Sequence, residues 1–221
     1  MDRFQENIVP AESQNSGCYF EVTAGEGLRV LFVGNSITKH GIKPDIGWNR
    51  DCGMAASSVD KDYVHLLAAR IVRRQPDAAI RILQVADYER NFPHTEAAAA
   101  YADAAAFRPD IVLFFFGANV DPAYDGQQHH TKSFGQAVEE LRQTLDTGAT
   151  RFVISQGFYV RPVLDAEKEA VAAKHGDIFV HMEDIRSRED THGEFNHPGD
   201  IGMQAIADRF WSVMEPLVTK P

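Results

Sequence analysis

Short apolar runs and longer segments with a helical beat alternate along most of this chain. "LRVLFVG", starting at Leu28, is almost continuous in Leu, Val and Phe and reads as a strand covered on both faces. "DKDYVHLLAARIVRRQ" spaces its apolar residues on one face of a helix, "AIRILQVA" is a second strand, and "HTEAAAAYADAAAF" reads as an alanine-rich helix. The alternation continues with the strand "PDIVLFFFG", the helix "TKSFGQAVEELRQTLDTG" closed by Gly148, and the strand "TRFVISQG". The helix "LDAEKEAVAAKHG", the strand "DIFVHM" and the helix "GDIGMQAIADRFWSVMEPLV" complete it. Strands alternating with helices build parallel units, so the pattern predicts an α/β fold: a three-layer α/β/α sandwich with a five-stranded parallel sheet. Residues 1–27 are polar and carry Pro10, Gly17, Gly25 and Gly27. They read as an N-terminal extension, and residues 28–221 as one folded domain.

Charge narrows the partners. The net charge of −10 argues against a polyanion partner such as nucleic acid, which requires a basic face. The run "IVLFFFGA" is too short to span a bilayer, and the first twenty residues lack the basic start and apolar stretch of a secretion signal, so a cytoplasmic protein without a membrane partner is expected. Cys18 and Cys52 follow neither a CxxC nor a zinc spacing. Reduced thiols are the expectation, with a single bridge left open.

Ligands of such sheets lie beyond the carboxyl ends of the strands. The loops leaving the strands are "GNSITKHG", "DYERNFPH", "GANVDPAYDG" and "SQGFYVRP", and "HGEFNHPGD" precedes the last helix. Ser36 sits on a glycine turn at the first of these exits. A serine is a poor nucleophile until a base takes its proton, and histidine is the usual base near neutral pH. Of nine histidines His197 is best placed, at the start of the last helix, with Glu194 three residues upstream to orient the ring. Asn119, two residues after Gly117, offers an amide to a developing oxyanion.

These residues resemble a known family. "FVGNSIT" resembles the first block of the SGNH (GDSL-type) hydrolases, "GANVD" their Gly-x-Asn block, and "EFNHPGDIGMQAIADRFW" their terminal Asp-x-x-His block. The resemblance covers roughly residues 28 to 215. It implies a flavodoxin-like fold and a carboxylic ester hydrolase that needs no metal or organic cofactor. It implies Ser36 as nucleophile, His197 as base, and the Ser36 N–H with the Asn119 amide as oxyanion donors, in a catalytic domain spanning 28–221.

Three positions depart from the family pattern. Asn35 replaces the Asp of Gly-Asp-Ser, a change expected to be harmless because the turn positions the nucleophile. Glu194 replaces the Asp before the histidine, and a backbone carbonyl is an alternative acceptor for the ring. The block after the second strand has no glycine, leaving an N–H between Tyr88 and Asn91, or that of Gly53, as a substitute donor. Trp48, Gly53, Tyr88, Glu89 and Tyr124 are the candidate substrate-binding residues, with Phe92, Phe158 and Tyr159 as further aromatics for stacking on a sugar. The expected substrate is a small-molecule ester such as an acetylated sugar. His129 and His130 with Asp121 and Asp125 are not expected to form a metal site, because adjacent loop histidines rarely face one ion. A nucleotide-binding module lacks its phosphate-loop glycines and lysine. A catalytically silent carbohydrate-binding relative on the same fold remains the alternative.

Overall fold

The computed structural model describes residues 18–126 and 131–219. Its strands are β1 (Cys18–Thr23), β2 (Arg29–Gly34), β3 (Ala79–Gln84), β4 (Ile111–Phe115), β5 (Arg151–Ser155) and β6 (Ile178–Val180). They form one sheet in the order β1-β3-β2-β4-β5-β6. The five strands from β2 onward run parallel, as their apolar runs predict. The sheet nevertheless has six strands rather than five, because β1 pairs antiparallel along the edge of β3. This strand lies inside the stretch expected to be an extension. In "CYFEVT", Phe20 and Val22 are buried and Glu21 is half-exposed, a period-two signal that the surrounding glycines and polar residues obscure.

The helices are α1 (Tyr63–Arg74), α2 (Ala86–Asn91), α3 (Ala97–Ala100), α4 (Ala102–Ala106), α5 (Phe134–Leu145), α6 (Pro162–His175), α7 (Glu183–Arg186) and α8 (Asp200–Val218). The alanine-rich stretch is two short helices rather than one, interrupted at Tyr101 (φ −123°, ψ 29°). Tyr101 is buried, with its ring edge-on to Tyr88 at 5.6 Å, so tertiary packing overrides alanine's propensity. Strand β2 shows why the sheet is covered twice. Val30 and Phe32 face a layer holding Leu67 and Ile71 of α1 and Ile206 and Phe210 of α8. Leu31 and Val33 face Val138 and Leu141 of α5 and Val171 of α6. All four β2 side chains are fully buried, each contributing about 1.5–3 kcal/mol by removal from water.

The topology places the site. Strand β2 lies between β3 and β4, so the chain leaves β2 in one direction and later passes back across it. The carboxyl ends of β2 and β4 therefore flank a switch point, where such sheets open a crevice. The neighbouring exits are pinned from below by a buried ionic cluster. Asp165 accepts from Gly157 N–H (3.1 Å) and Arg186 (2.9 Å), and Arg186 also donates to the carbonyls of Gly157 and Tyr159. Lys168 donates to the Phe116 carbonyl at 3.1 Å, and burial pulls its pKa down to about 8.

Candidate active site

The Ser36 turn is built by close approach. A Cβ on Gly34 would lie 1.8 Å from Thr38 Oγ1 and 3.0 Å from the Phe115 carbonyl, so only glycine lets the end of β2 pass there. The Asn35 carbonyl accepts from Thr38 N–H and Lys39 N–H, both at 2.9 Å, and Met54 N–H donates to the Ser36 carbonyl at 2.8 Å. These bonds leave Ser36 half-buried, with Oγ 2.8 Å from His197 Nε2. The Ser36 N–H donates to nothing among the described residues.

The other ring nitrogen defines the tautomer. His197 Nδ1 lies 2.8 Å from the Phe195 carbonyl, which can only accept, so Nδ1 carries the hydrogen and Nε2 offers its lone pair to Ser36. Burial lowers the His197 pKa, and the bond to the carbonyl restores part of the loss. The ring is thus held in its neutral, basic form.

Glu194 does not fill the orienting role expected of it: its carboxylate turns outward and meets Arg50 at 2.6 Å. The reason is the fold of the turn. Phe195 and Asn196 both adopt left-handed backbone (φ 56° each), which swings the Phe195 carbonyl toward the imidazole and the Glu194 side chain away from it. For a residue such as Phe this conformation carries about 1–3 kcal/mol of strain, which neighbouring contacts must hold in place. Those contacts are bonds from Gly193 N–H to the His197 carbonyl (2.6 Å) and from His197 N–H to the Glu194 carbonyl (3.0 Å), and the Phe195 ring edge-on to Trp48 at 6.3 Å. Arg50 stacks over Trp48 at 4.3 Å while holding Glu194, clamping the turn from the far side.

Asn119 reaches the same crevice from the exit of β4. Its Oδ1 accepts from Arg90 at 3.0 Å and its Nδ2 donates to Glu89 at 2.6 Å. A guanidinium only donates and a carboxylate accepts, so the two partners settle which way the amide points. Glu89 is fully buried and accepts four bonds: from Asn35 Nδ2, Gly117 N–H, Asn119 N–H and Asn119 Nδ2. It therefore lies beneath the site and does not face substrate, contrary to expectation. Asn35 is not the bystander its place in the turn suggests. Its buried side chain accepts from Ile37 N–H at 3.1 Å and donates to Glu89 at 2.8 Å.

The remaining expectations for substrate contact are corrected in the same way. Trp48 is fully buried, its Nε1 bonded to the His40 carbonyl at 3.3 Å. Tyr88 is fully buried, with its hydroxyl on the Ala137 carbonyl. Tyr124 points inward to Glu167, and Phe92 and Phe158 are core residues. Gly53 cannot supply a displaced oxyanion donor, because its N–H goes to Asp62 Oδ2 at 3.0 Å. Residues 88–91 lie within α2, where Glu89 N–H is bonded to the Val85 carbonyl. Large aromatic rings on exit loops were free to fold inward, and did so because burial of each ring outweighs contact with water. Tyr159 stays beside the site, its ring 6.0 Å from that of His197.

The cleft is open, holds about 340 Å³, and is lined by Ser36 and His197 with His40, Lys43, Arg90 and Asn119 among others. His40 is held by its Nδ1 bond to the Gly41 carbonyl (2.7 Å), and burial lowers its pKa. Lys43, Gln84, Asp87 and Arg90 were not singled out from sequence, although Gln84 ends β3 and Asp87 and Arg90 follow directly on it. Their position at a strand exit was the available signal. Among the described residues no cluster of three or more His, Cys, Asp or Glu side chains is arranged to hold a metal, and His129 and His130 lie outside the described residues. The Cys52 thiol is buried, and its pKa is pushed up to about 12. No described helix is long and apolar enough to cross a membrane.

The fold and this crevice define a three-layer α/β architecture with a serine and a histidine at its switch point, and solved structures of that architecture match it. One is a two-domain esterase active on acetylated mannans, crystallised with mannopentaose (TM-score 0.60, 16% identity), where the match covers 87% of this chain and 50% of that one. This chain thus spans about half the length of that esterase. A second is a family two carbohydrate esterase from Clostridium thermocellum in complex with cellohexaose (TM-score 0.54, 15% identity, 90% and 67% covered). A third, from Bacteroides uniformis, is described as a GDSL-like lipase (TM-score 0.55, 15% identity, 86% and 97% covered). At these identities the likeness shows the fold, that of GDSL-like esterases. No protein-family model matches the sequence, and no curated protein matches it.

Proposed function

We propose that the protein is a serine carboxylic ester hydrolase of the SGNH type acting on a small acyl ester. The observation that carries the reading is the 2.8 Å approach of Ser36 Oγ to the lone-pair nitrogen of a histidine whose other nitrogen is already engaged. His197 Nε2 takes the hydroxyl proton as Ser36 Oγ attacks the ester carbonyl. The tetrahedral oxyanion sits between the Ser36 N–H and the remaining Nδ2 hydrogen of Asn119. Collapse breaks the bond to the leaving oxygen, which receives the proton from His197. Water, deprotonated by the same nitrogen, then attacks the acyl-serine, and the proton returns from His197 to Ser36 Oγ as the acid leaves. The Phe195 carbonyl holds the imidazole in its working tautomer, the task a carboxylate performs in a triad.

An acetyl ester of a carbohydrate fits the site best. Polar side chains that can meet hydroxyls, His40, Lys43, Gln84, Asp87 and Arg90, line the open cleft beside the apolar Ile46 and Met54, a mixture that suits a short acyl group on a sugar. Two of the structures sharing the fold are carbohydrate esterases, one of them active on acetylated mannans. The test is turnover of p-nitrophenyl acetate and of acetylated sugars, with mass analysis after an organophosphonate probe. Turnover and a single adduct on Ser36, both lost in Ser36→Ala, support the reading. A folded protein with neither overturns it in favour of a silent binding module.

A further inference from the structure

The buried carboxylate of Glu89 reaches neither cleft nor solvent. It sits in the block after β3, "ADYERN", the segment that departs most from the resembled pattern. Its Oε1 accepts from Asn35 Nδ2 and Gly117 N–H, both at 2.8 Å, and its Oε2 from Asn119 N–H and Asn119 Nδ2, both at 2.6 Å. One oxygen thus faces the nucleophile turn and the start of the β4 exit, while the other faces Asn119.

We infer that Glu89 is a positioning residue that ties the Ser36 turn to the Asn119 arm, and that Asn35 replaces aspartate in the turn because this carboxylate lies opposite it. The inference rests on the ester-hydrolase reading of the cleft. All four partners are donors, so an amide or a protonated carboxyl at position 89 would set a hydrogen against a hydrogen. Asn35 cannot flip to help, since its Oδ1 already takes the Ile37 N–H. An aspartate at 35 would instead place two carboxylates within hydrogen-bond distance. The charged neighbours are Lys168, which acts on Glu89 through the field, and Arg90, which is engaged with Asp87 and the Asn119 Oδ1. Glu89 therefore acts through Asn119 and Asn35.

The experiment compares Glu89→Gln, Asn119→Ala and their combination, each checked for folding by circular dichroism, with kcat and KM measured on p-nitrophenyl acetate. Glu89→Gln should lower kcat about 100-fold, the order of losing an oxyanion donor, with KM changed less than about threefold. The combined variant should be no more than about threefold slower than Asn119→Ala, because the two residues act as one unit. A second arm uses Asn35→Asp alone and with Glu89→Gln. The single change should cost activity, and the swap should recover at least about tenfold, because glutamine can donate where aspartate accepts. Glu89→Gln within about threefold of wild type, or losses that multiply in the combined variant, overturn the inference. If Glu89→Gln does not fold, a swap no more active than Asn35→Asp overturns it instead. A wild type no faster than Ser36→Ala overturns the hydrolase reading itself and this inference with it, whereas an active wild type with indifferent Glu89 variants overturns the inference alone.

Discussion

The two sides of the cleft are held in opposite ways. On the side of Ser36 and Asn119, a buried carboxylate gathers four donors, and the turn is locked by short bonds in the interior. On the side of His197, the turn from Gly193 to Asn196 is exposed, takes two left-handed residues in succession, and orients the ring with a backbone carbonyl. In the proposed mechanism the oxyanion donors must be aimed before the charge develops, and a low-dielectric network keeps them so. A base needs chiefly the right tautomer and orientation, which one carbonyl supplies. The acid that would otherwise do this, Glu194, is left to an exposed ion pair with Arg50.

The comparison can be broken first at Ser36, the proposed nucleophile. Ser36→Ala should lower kcat by about 10⁶-fold, to the assay background, with the melting temperature little changed. Asn119→Ala comes next, with a loss of about 10²- to 10³-fold in kcat measured on p-nitrophenyl acetate. A smaller effect in that variant would move the oxyanion onto backbone donors alone.

The histidine side gives the gentler effects. kcat/KM should fall about tenfold per pH unit below the His197 pKa, and rise to a plateau above it, because the protonated ring cannot accept from Ser36. Burial places that midpoint below the ordinary histidine value of 6.5, so a pH profile centred above 6.5 would mean that a carboxylate stabilises the charged ring. Glu194→Gln should cost less than about tenfold in kcat, where replacing a triad carboxylate by its amide costs about 10⁴-fold. Loss on the larger scale would restore Glu194 to the triad and end the contrast between the two sides.

Much of this architecture was legible along the chain. The near-continuous apolar runs from β2 to β6 announce strands covered on both faces, because each residue there has a partner above or below the sheet. The pairing of Ser36 with His197 was readable too, since strand exits in a parallel sheet converge on one edge and the last helix returns to it. Strand β1 was missed because the four alternating residues Phe20 to Thr23, between Gly17 and Gly25, carry too little periodicity to stand out.

What the chain by itself determined is therefore the layer architecture, the parallel strands, and which serine and histidine share a rim. These follow from local period and connection, which act over short spans of sequence. Tertiary structure alone decided the direction of each side chain on the exit loops. It turned Trp48, Tyr88 and Tyr124 into the core, sent Glu194 to Arg50 across 144 positions, and set Glu89 beneath residues 54 and 30 positions away. Hydrogen bonds over such separations depend on which surfaces the fold brings together, and no local pattern of apolar and polar residues records them.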